Sequence, residues 1–326
     1  MWVATSDCAW LRVRGCALCA HPSQLYQLHW PTRDMPIFGC ASFYPGGFNR
    51  PMPHADTLPA GEPGYEMFER QLLAVKRLLD LGLIRHWGLS NENAFGITMF
   101  CTLADKLGMP RPVSCQNDFS FLNRTYESDT WEAAYRFGVV GLPYGCLAGG
   151  VLTGKYHDGS RWSAAASADR PLSECRMRAQ PDFQGRYGLP MCMLAAEAYV
   201  ALAEEYQISP TELALAWAKQ RQCNTAIITG TTTVKQVEEC IRALQLELPA
   251  DLMDAVDAIH EQYRHPSQFY HAKAYIEQPA WLGPAARTAA QPRSRLAALG
   301  RSPLARLAAA GLAGAAVATL AARGRA

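Results

Sequence analysis

Short apolar segments typical of strands alternate with amphipathic segments typical of helices, and this alternation limits the possible folds more than any single motif. The predicted strands are residues 25–30, 83–89, 112–115, 138–144 and 226–228, and the predicted helices are residues 65–81, 94–107, 126–137, 191–206, 210–222, 234–244 and 251–263. The connections are long enough for parallel crossovers. The order therefore predicts an α/β protein, either a (β/α) barrel or an open doubly wound sheet.

Composition excludes several functional classes. The chain has 326 residues, of which 49% are hydrophobic, and a net charge of +2, so it carries no basic surface for nucleic acid. Its 11 cysteines are scattered and odd in number, which indicates a reduced, cytoplasmic protein. Cys16 and Cys19 form a C-x-x-C motif near Cys8 and His21. A second pair at ligand spacing is absent from the sequence, so we predict no metal site.

Polar residues lie at or just beyond the C-terminal ends of the predicted strands. They are His29, Ser90 with Asn91, Gln116 with Asn117, Tyr144, and Thr231 with Thr232. Each also has an ordinary structural interpretation as a helix cap, a turn former or a packed side chain. Because ligands of α/β folds bind at the carboxyl ends of the strands, the five positions together predict one shared site.

The chemistry of these residues matches a dinucleotide. Serine, asparagine and glutamine can hold a carboxamide, and the ring of Tyr144 can stack on a planar heterocycle. The glycine-rich turn from Gly145 to Gly150, followed by Lys155, can offer N–H groups and a cation to a pyrophosphate. The predicted helix start at Thr231 to Thr233 can hold one more phosphate. Together these groups predict NADP(H), although the G-x-G-x-x-G fingerprint is absent.

Five segments resemble the aldo-keto reductase superfamily. They are Leu-Tyr-Gln-Leu-His-Trp-Pro (25–31), Gly-Leu-Ser-Asn (88–91), Gln-Asn (116–117) with Leu-Asn-Arg (122–124), Tyr144 through Leu-Thr-Gly-Lys-Tyr (152–156), and Gly-Thr-Thr-Thr-Val-Lys-Gln-Val-Glu-Glu (230–239). They follow one another in family order and cover about residues 24–265. The family folds as a TIM barrel and reduces aldehydes and ketones with NADPH and no metal.

The resemblance implies a role for each matching residue. His29 would orient the carbonyl group of a small aldehyde or ketone. The other residues would bind NADP(H): Ser90, Asn91 and Gln116 at the carboxamide, Tyr144 on the ring, Gly145, Leu147, Ala148 and Lys155 at the pyrophosphate, Gly230, Thr231, Thr232 and Gln236 at the 2′-phosphate, and Glu239 at the adenine. Cys146, Pro143 and Cys240 depart from the family pattern in this region.

The family also uses an aspartate, a tyrosine and a lysine, which have no matching segment in this sequence. His29 corresponds to the fourth barrel strand of the family, and only 28 residues precede it. We therefore expect an N-terminally truncated, partial (β/α)8 barrel with units equivalent to strands 4–8. Such a chain would expose strand edges that a protein partner could cover. Its carbonyl reduction would be impaired, and the alternative is a non-enzymatic NADP(H)-binding or regulatory subunit.

The predicted organisation has three parts: an unpatterned segment at residues 1–23, the partial barrel at 24–265, and an Ala/Arg-rich tail at 266–326. In the tail, residues 307–322 are uncharged but weakly apolar. A helix of that length is shorter than the roughly 30 Å hydrocarbon core of a bilayer. We therefore favour a disordered or helical tail over a membrane contact.

Overall fold

The structure is a computed structural model that describes residues 3–4, 23–33, 35–36, 39–41, 65–157, 161–164, 171–180 and 184–268. The C-x-x-C motif and the tail segment 307–322 lie outside these residues. Among the helices of the described part, none is long and apolar enough to cross a membrane. The same residues contain no cluster of histidine, cysteine and carboxylate side chains that could hold a metal ion.

The described strands form one parallel sheet with five members in chain order. They are β1 (Val3–Ala4), β2 (Ser23–Leu28), β3 (Ile84–Ser90), β4 (Ser114–Gln116) and β5 (Val140–Gly141). In the register, Leu28 pairs with Leu89, Ser90 with Gln116, and Cys115 with Gly141. The parallel α/β architecture predicted from the sequence is confirmed.

Helices connect these strands and continue beyond them. The longer ones are α1 (Tyr65–Asp80), α2 (Ala94–Lys106), α3 (Trp131–Phe137), α4 (Pro190–Glu205), α5 (Pro210–Gln220), α6 (Val234–Gln245) and α7 (Ala250–Gln262). Arg176–Ala179 forms one short helix, and Tyr126–Thr130 forms a π-helical turn where the sequence predicted the start of α3. Residue types that favour helix ends lie at several of these ends. Gly82 has a φ of 65° after α1, and Ser209 forms a capping box with Glu212 at α5.

The sheet contains one strand that the sequence pattern did not indicate, and one predicted strand is wrong. Val3–Ala4, in the segment interpreted as unpatterned, pairs in parallel with β2. Residues 226–228, interpreted as a strand, follow the edge of β5 without forming a regular strand. The N–H of Thr225 donates to the carbonyl oxygen of Gly141 at 2.9 Å, and the N–H of Ile228 donates to that of Pro143 at 2.9 Å. A parallel ladder would place a donating N–H at position 143 between these bonds, and proline has none.

An aromatic cluster joins the helices to the residues that follow β4. Phe119 stacks on Trp217 of α5 with ring centroids 5.2 Å apart, and Phe121 stacks on Tyr199 of α4 at 4.2 Å. All four side chains are buried. Stacked aromatic pairs of this kind contribute about 0.5–1.5 kcal/mol beyond the area they bury. The cluster therefore fixes the segment after β4, which leads directly into the predicted site.

The contact between β5 and the segment before residue 226 generates a test of this packing. A β-carbon on Gly141 would lie 2.0 Å from the carbonyl oxygen of Cys223, which is backbone and has little room to move. We expect Gly141→Ala to lower the free energy of unfolding in urea by about 3 kcal/mol or more. Gly185→Ala is the matched control, because a β-carbon there meets nothing within 4 Å. Equal urea midpoints for the two variants would contradict this docking.

Candidate functional site

The parallel register brings the polar residues of four chain segments to one edge of the sheet. Ser90 pairs with Gln116, and the N–H of Asn91 donates to the carbonyl oxygen of Gln116 at 2.9 Å. The N–H of Tyr144 donates to the carbonyl oxygen of Asn117 at 2.9 Å. The carboxyl ends of β3 and β4 and the segment after β5 therefore form one continuous rim, which His29 joins directly after β2.

Asn91 is the hub of this rim. Its backbone has a φ of 58°, in the left-handed region that asparagine tolerates better than most residues. The Tyr144 hydroxyl donates to Asn91 Oδ1 at 2.8 Å. Asn91 Nδ2 donates to the carbonyl oxygen of His29 at 2.9 Å and to Ser90 Oγ at 3.2 Å, while Ser90 Oγ donates to the carbonyl oxygen of Gln116 at 2.8 Å. One amide thus joins all the predicted residues of the carboxamide end.

His29 lies at the open side of this network. Its ring is tilted against Trp30 with centroids 4.6 Å apart, and its Nδ1 is buried without a partner among the described residues. Partial burial lowers the pKa of His29 below its usual value of 6.5. The imidazole is therefore neutral near pH 7 and keeps one donor and one acceptor nitrogen.

The glycine-rich turn after Tyr144 has the backbone of an anion-binding loop. Positive φ angles occur at Gly145 (73°), Ala148 (47°), Gly149 (65°) and Gly150 (96°). Left-handed residues within such a turn direct successive N–H groups toward one side. Two N–H groups are exceptions: that of Ala148 donates to the carbonyl oxygen of Gly145 at 2.6 Å, and that of Gly150 donates to the carbonyl oxygen of Leu147 at 2.8 Å. A β-carbon on Gly150 would lie 2.8 Å from both Cε and Nζ of Lys155, so the ammonium group rests against the turn.

The start of α6 continues from the same edge of the sheet. Thr233 caps the helix by accepting the N–H of Gln236 at 3.2 Å, and Gln236 Oε1 accepts the N–H of Thr232 at 2.8 Å. Thr232 and Gln236 are exposed, as a phosphate contact would require. Glu239 has a protein partner, since its Oε1 accepts the hydroxyl of Ser209 at 3.0 Å. Its predicted adenine contact would compete with that bond.

Sequence reasoning missed a buried ion pair beside the rim. Arg33 donates to both carboxylate oxygens of Glu92, at 2.9 and 2.6 Å, and to Asn93 Oδ1 at 2.9 Å. The Arg33 and Glu92 side chains are only 12% and 3% exposed. The Arg33 guanidinium also lies over the rings of Phe68 and Phe95. This pair ties the segment after His29 to the turn that holds Asn91.

The neighbouring glycine explains why the pair fits there. A β-carbon on Gly96 would lie 1.8 Å from Glu92 Oε2 and 2.6 Å from an Arg33 nitrogen. In the sequence, the one indication of this ion pair was Glu92, which stands among the polar residues Ser90 to Asn93 that are typical of a helix start. Asn93 is the residue that caps α2, by accepting the N–H of Gly96 at 3.0 Å.

A second buried charged group was also missed. Asp118, two residues after β4, contacts Arg186 and Tyr187, which lie just before α4. Nothing in the sequence marked Arg186 or Tyr187 as belonging to the site. The structure thus brings His29, Ser90, Asn91, Gln116 and Tyr144 together. It places the remaining predicted residues on the turn after Tyr144 and at the start of α6.

Comparison with known proteins gives the same family. Residues 20–261 match the profile of the Aldo/keto reductase family. Protein tas of Escherichia coli (strain K12) is 33% identical over 243 residues, covering 74% of this chain and 63% of that protein. An aldo-keto reductase of Babesia bovis is 30% identical over 248 residues, covering 74% and 81% of the two chains. A candidate voltage-gated potassium channel beta subunit of Schizosaccharomyces pombe is 24% identical over 212 residues, covering 64% and 60%.

The chain therefore belongs to the aldo-keto reductase family. Members of this family generally use NAD(P)H and act on small carbonyl compounds. The matched part spans only 63% of the length of the tas protein. The role of each individual rim residue in binding or catalysis remains a prediction.

The ion pair beside the rim gives a test of its electrostatics. Burial raises the pKa of Glu92, and Arg33 opposes that rise. In Arg33→Met the carboxylate loses its partner, so we expect about 3–5 kcal/mol less stability at pH 7. A carboxyl whose folded pKa is raised stabilises the fold at low pH and loses that contribution as pH rises. The penalty in urea unfolding should therefore shrink on acidification, by about 1.4 kcal/mol per pH unit.

Arg111→Met is the matched control for this experiment. Arg111 also bonds a carboxylate in two-pronged geometry, that of Asp105, but the two side chains are 42% and 47% exposed. Exposed pairs contribute about 0–1 kcal/mol. A loss of stability in Arg33→Met that matches Arg111→Met, or that does not depend on pH, would contradict the assignment of a buried charge to Glu92.

Proposed function

We propose that this chain binds NADP(H) along the rim and provides the cofactor side of a carbonyl-reducing site. The observation that carries the proposal is the Asn91 network. It joins the side chains of Ser90, Asn91 and Tyr144 with the backbone carbonyl groups of His29 and Gln116, so that four separate chain segments meet around one amide. Packing alone does not require an amide and two hydroxyl groups to converge with the carbonyl groups at two strand ends.

The nicotinamide end of NADP(H) fits the groups around Asn91 after a small movement of side chains. Both Asn91 Nδ2 donors and one lone pair of its Oδ1 already have protein partners. The second lone pair of Oδ1 and the half-buried amide of Gln116 can meet the carboxamide nitrogen and oxygen. The ring of Tyr144, held by its hydroxyl at Asn91, supplies the flat apolar face on which a nicotinamide ring can stack.

The pyrophosphate end fits the turn and its cation. Gly145 and Gly150 have φ angles that side-chain-bearing residues rarely adopt, and the space beside Gly150 is filled by the end of Lys155. An ammonium held against the turn favours a phosphate oxygen by charge and by hydrogen bonding. The exposed start of α6 adds N–H and hydroxyl donors for the 2′-phosphate.

The catalytic side is only partly supplied by this sequence. Bound NADPH would supply a hydride to the carbon of a small aldehyde or ketone. His29, kept neutral by the lowered pKa, can donate a hydrogen bond to the carbonyl oxygen and so orient it. Matches for the aspartate, tyrosine and lysine of the family are absent from the sequence. We therefore propose that carbonyl reduction by this polypeptide is impaired.

A second candidate is a non-enzymatic, NADP(H)-binding regulatory subunit. It is favoured by the similarity to the Schizosaccharomyces pombe protein, whose name describes a channel beta subunit. In that role the rim would bind the dinucleotide without turnover, and the edge of the sheet would contact a protein partner. Both candidates require the same cofactor site, so binding is the measurement to make first.

We expect NADPH to quench the protein's tryptophan fluorescence with a micromolar dissociation constant. Gln116→Ala removes a carboxamide partner and Lys155→Ala removes the cation at the turn. Lys155→Ala should weaken binding tenfold or more, since a hydrogen bond to a charged group contributes about 1.5–3 kcal/mol. Gln116→Ala should weaken it about two- to tenfold, since a hydrogen bond between neutral groups contributes about 0.5–1.5 kcal/mol. Lys76→Ala is the control, because Lys76 pairs with Asp80 on the surface of α1. No quenching up to millimolar NADPH would refute the proposal.

Turnover tests the proposed impairment of carbonyl reduction. With an aromatic aldehyde and NADPH, we expect the rate of absorbance loss at the nicotinamide band to stay near the uncatalysed rate, because no proton donor is assigned. The assay uses the same protein preparation that binds NADPH in the fluorescence titration. Rapid turnover that is lost in His29→Ala would contradict impairment and would establish an active reductase.

A further inference from the structure

Asp118 lies at the centre of a buried group of polar side chains beneath the glycine turn. Its Oδ1 accepts the hydroxyl of Tyr187 at 2.6 Å. Its Oδ2 accepts Arg186 at 3.1 Å and the amide of Asn123 at 2.9 Å. Arg186 also donates to the Tyr187 hydroxyl at 3.1 Å. Tyr187 is fully buried, and the side chains of Arg186 and Asp118 are only 2% and 11% exposed.

This group is in contact with the residues proposed to bind the cofactor. A β-carbon on Gly145 would lie 2.8 Å from Asp118 Oδ1 and 3.0 Å from the Tyr187 hydroxyl. A β-carbon on Gly149 would lie 3.7 Å from the Tyr187 ring. The backbone of Asp118 also pairs in parallel with that of Tyr144. The turn therefore packs against the carboxylate of Asp118 and the phenol of Tyr187.

The electrostatics connect the same residues. Burial raises the pKa of Tyr144, the charge of Asp118 raises it further, and Arg186 opposes the rise. Burial likewise raises the pKa of Tyr187, again with Asp118 adding to the effect. Both phenols therefore remain protonated at neutral pH and act as hydrogen-bond donors, Tyr187 to Asp118 and Tyr144 to Asn91.

Stability alone does not explain a buried arginine and carboxylate in this place. Burying a charged pair costs desolvation energy, and well-packed apolar side chains of similar volume are often as stable or more so. What the charged pair adds is directionality, because a carboxylate with three fixed donors can lie in only one position. Here that position defines where Gly145 and Tyr144 lie.

We propose that Asp118, Arg186 and Tyr187 are positioning residues that hold Tyr144 and the Gly145–Gly150 turn in the shape required for dinucleotide binding. This inference rests on the proposed NADP(H) function. The three residues act through the turn and through Tyr144, without contact to the ligand. Arg186 and Tyr187 lie just before α4, about 40 residues after the turn in the sequence. They therefore also join the start of α4 to the rim.

The test compares two single-atom deletions at buried tyrosines. Tyr187→Phe removes only the hydroxyl that donates to Asp118. Tyr199→Phe removes the hydroxyl of another buried tyrosine, which stacks on Phe121. Two quantities are measured for the whole chain: the NADPH dissociation constant by fluorescence, and amide hydrogen exchange of the peptides that contain residues 144–150 and 84–91.

We expect Tyr187→Phe to weaken NADPH binding about tenfold, as for one lost hydrogen bond to a charged group. Exchange should quicken at residues 144–150 and stay unchanged at residues 84–91. Tyr199→Phe should leave both quantities as in the unaltered protein, even if it lowers the melting temperature equally. Should Tyr187→Phe fail to fold, Arg186→Lys replaces it, because it keeps the charge beside Asp118 and loses the planar fork.

The outcomes separate this inference from the proposed function. If the unaltered protein does not bind NADPH, the cofactor proposal fails, and with it the positioning role in dinucleotide binding. If it binds NADPH and Tyr187→Phe binds equally well, the positioning role alone is overturned. Unchanged exchange at residues 144–150, with only a lower melting temperature, would likewise overturn it and leave a purely structural group.

Discussion

Parallel pairing between β3, β4 and the residues after β5 is the constraint on which the rest of the site depends. The pairing of Ser90 with Gln116 and of Asp118 with Tyr144 sets the height of each strand end relative to its neighbour. A shift of one residue in such a ladder would turn every side chain to the opposite face. The Asn91 network, with bonds of 2.8–3.2 Å, therefore depends on this register together with the left-handed backbone of Asn91.

Two buried arginine–carboxylate pairs flank this rim. Arg33 with Glu92 fixes the segment after His29, and Arg186 with Asp118 fixes the turn after Tyr144. Each pair has further hydrogen bonds, which offset part of the desolvation that makes isolated buried charges costly. Both pairs add to the backbone hydrogen bonds that hold segments outside the regular strands. The precision of the rim thus comes from side chains as well as from the sheet.

Most helices and their ends were predictable because local chemistry decides them. Periodicity predicted α1, α2 and α4 to α7 to within one or two residues at nearly every end. Ser209 and Pro210 are residue types that favour a helix start, and α5 begins there. The sheet was less predictable. Residues 226–228 have the composition of a strand, yet Pro143 on the neighbouring segment removes a donor that a regular ladder would use. That effect depends on a residue about 80 positions away, which local patterns cannot include.

Residue spacing along the chain was enough to predict the family, the parallel α/β architecture and the order of the polar residues at the strand ends. The central position of Asn91 could be seen only in the folded chain. The same holds for the support of the rim by Arg33, Glu92, Asp118, Arg186 and Tyr187. The partners of these charged pairs lie 59 and 68 residues apart. The chemistry of one partner does not identify the other, because many residues of the chain carry the opposite charge. Which of them lies close in space is fixed by packing.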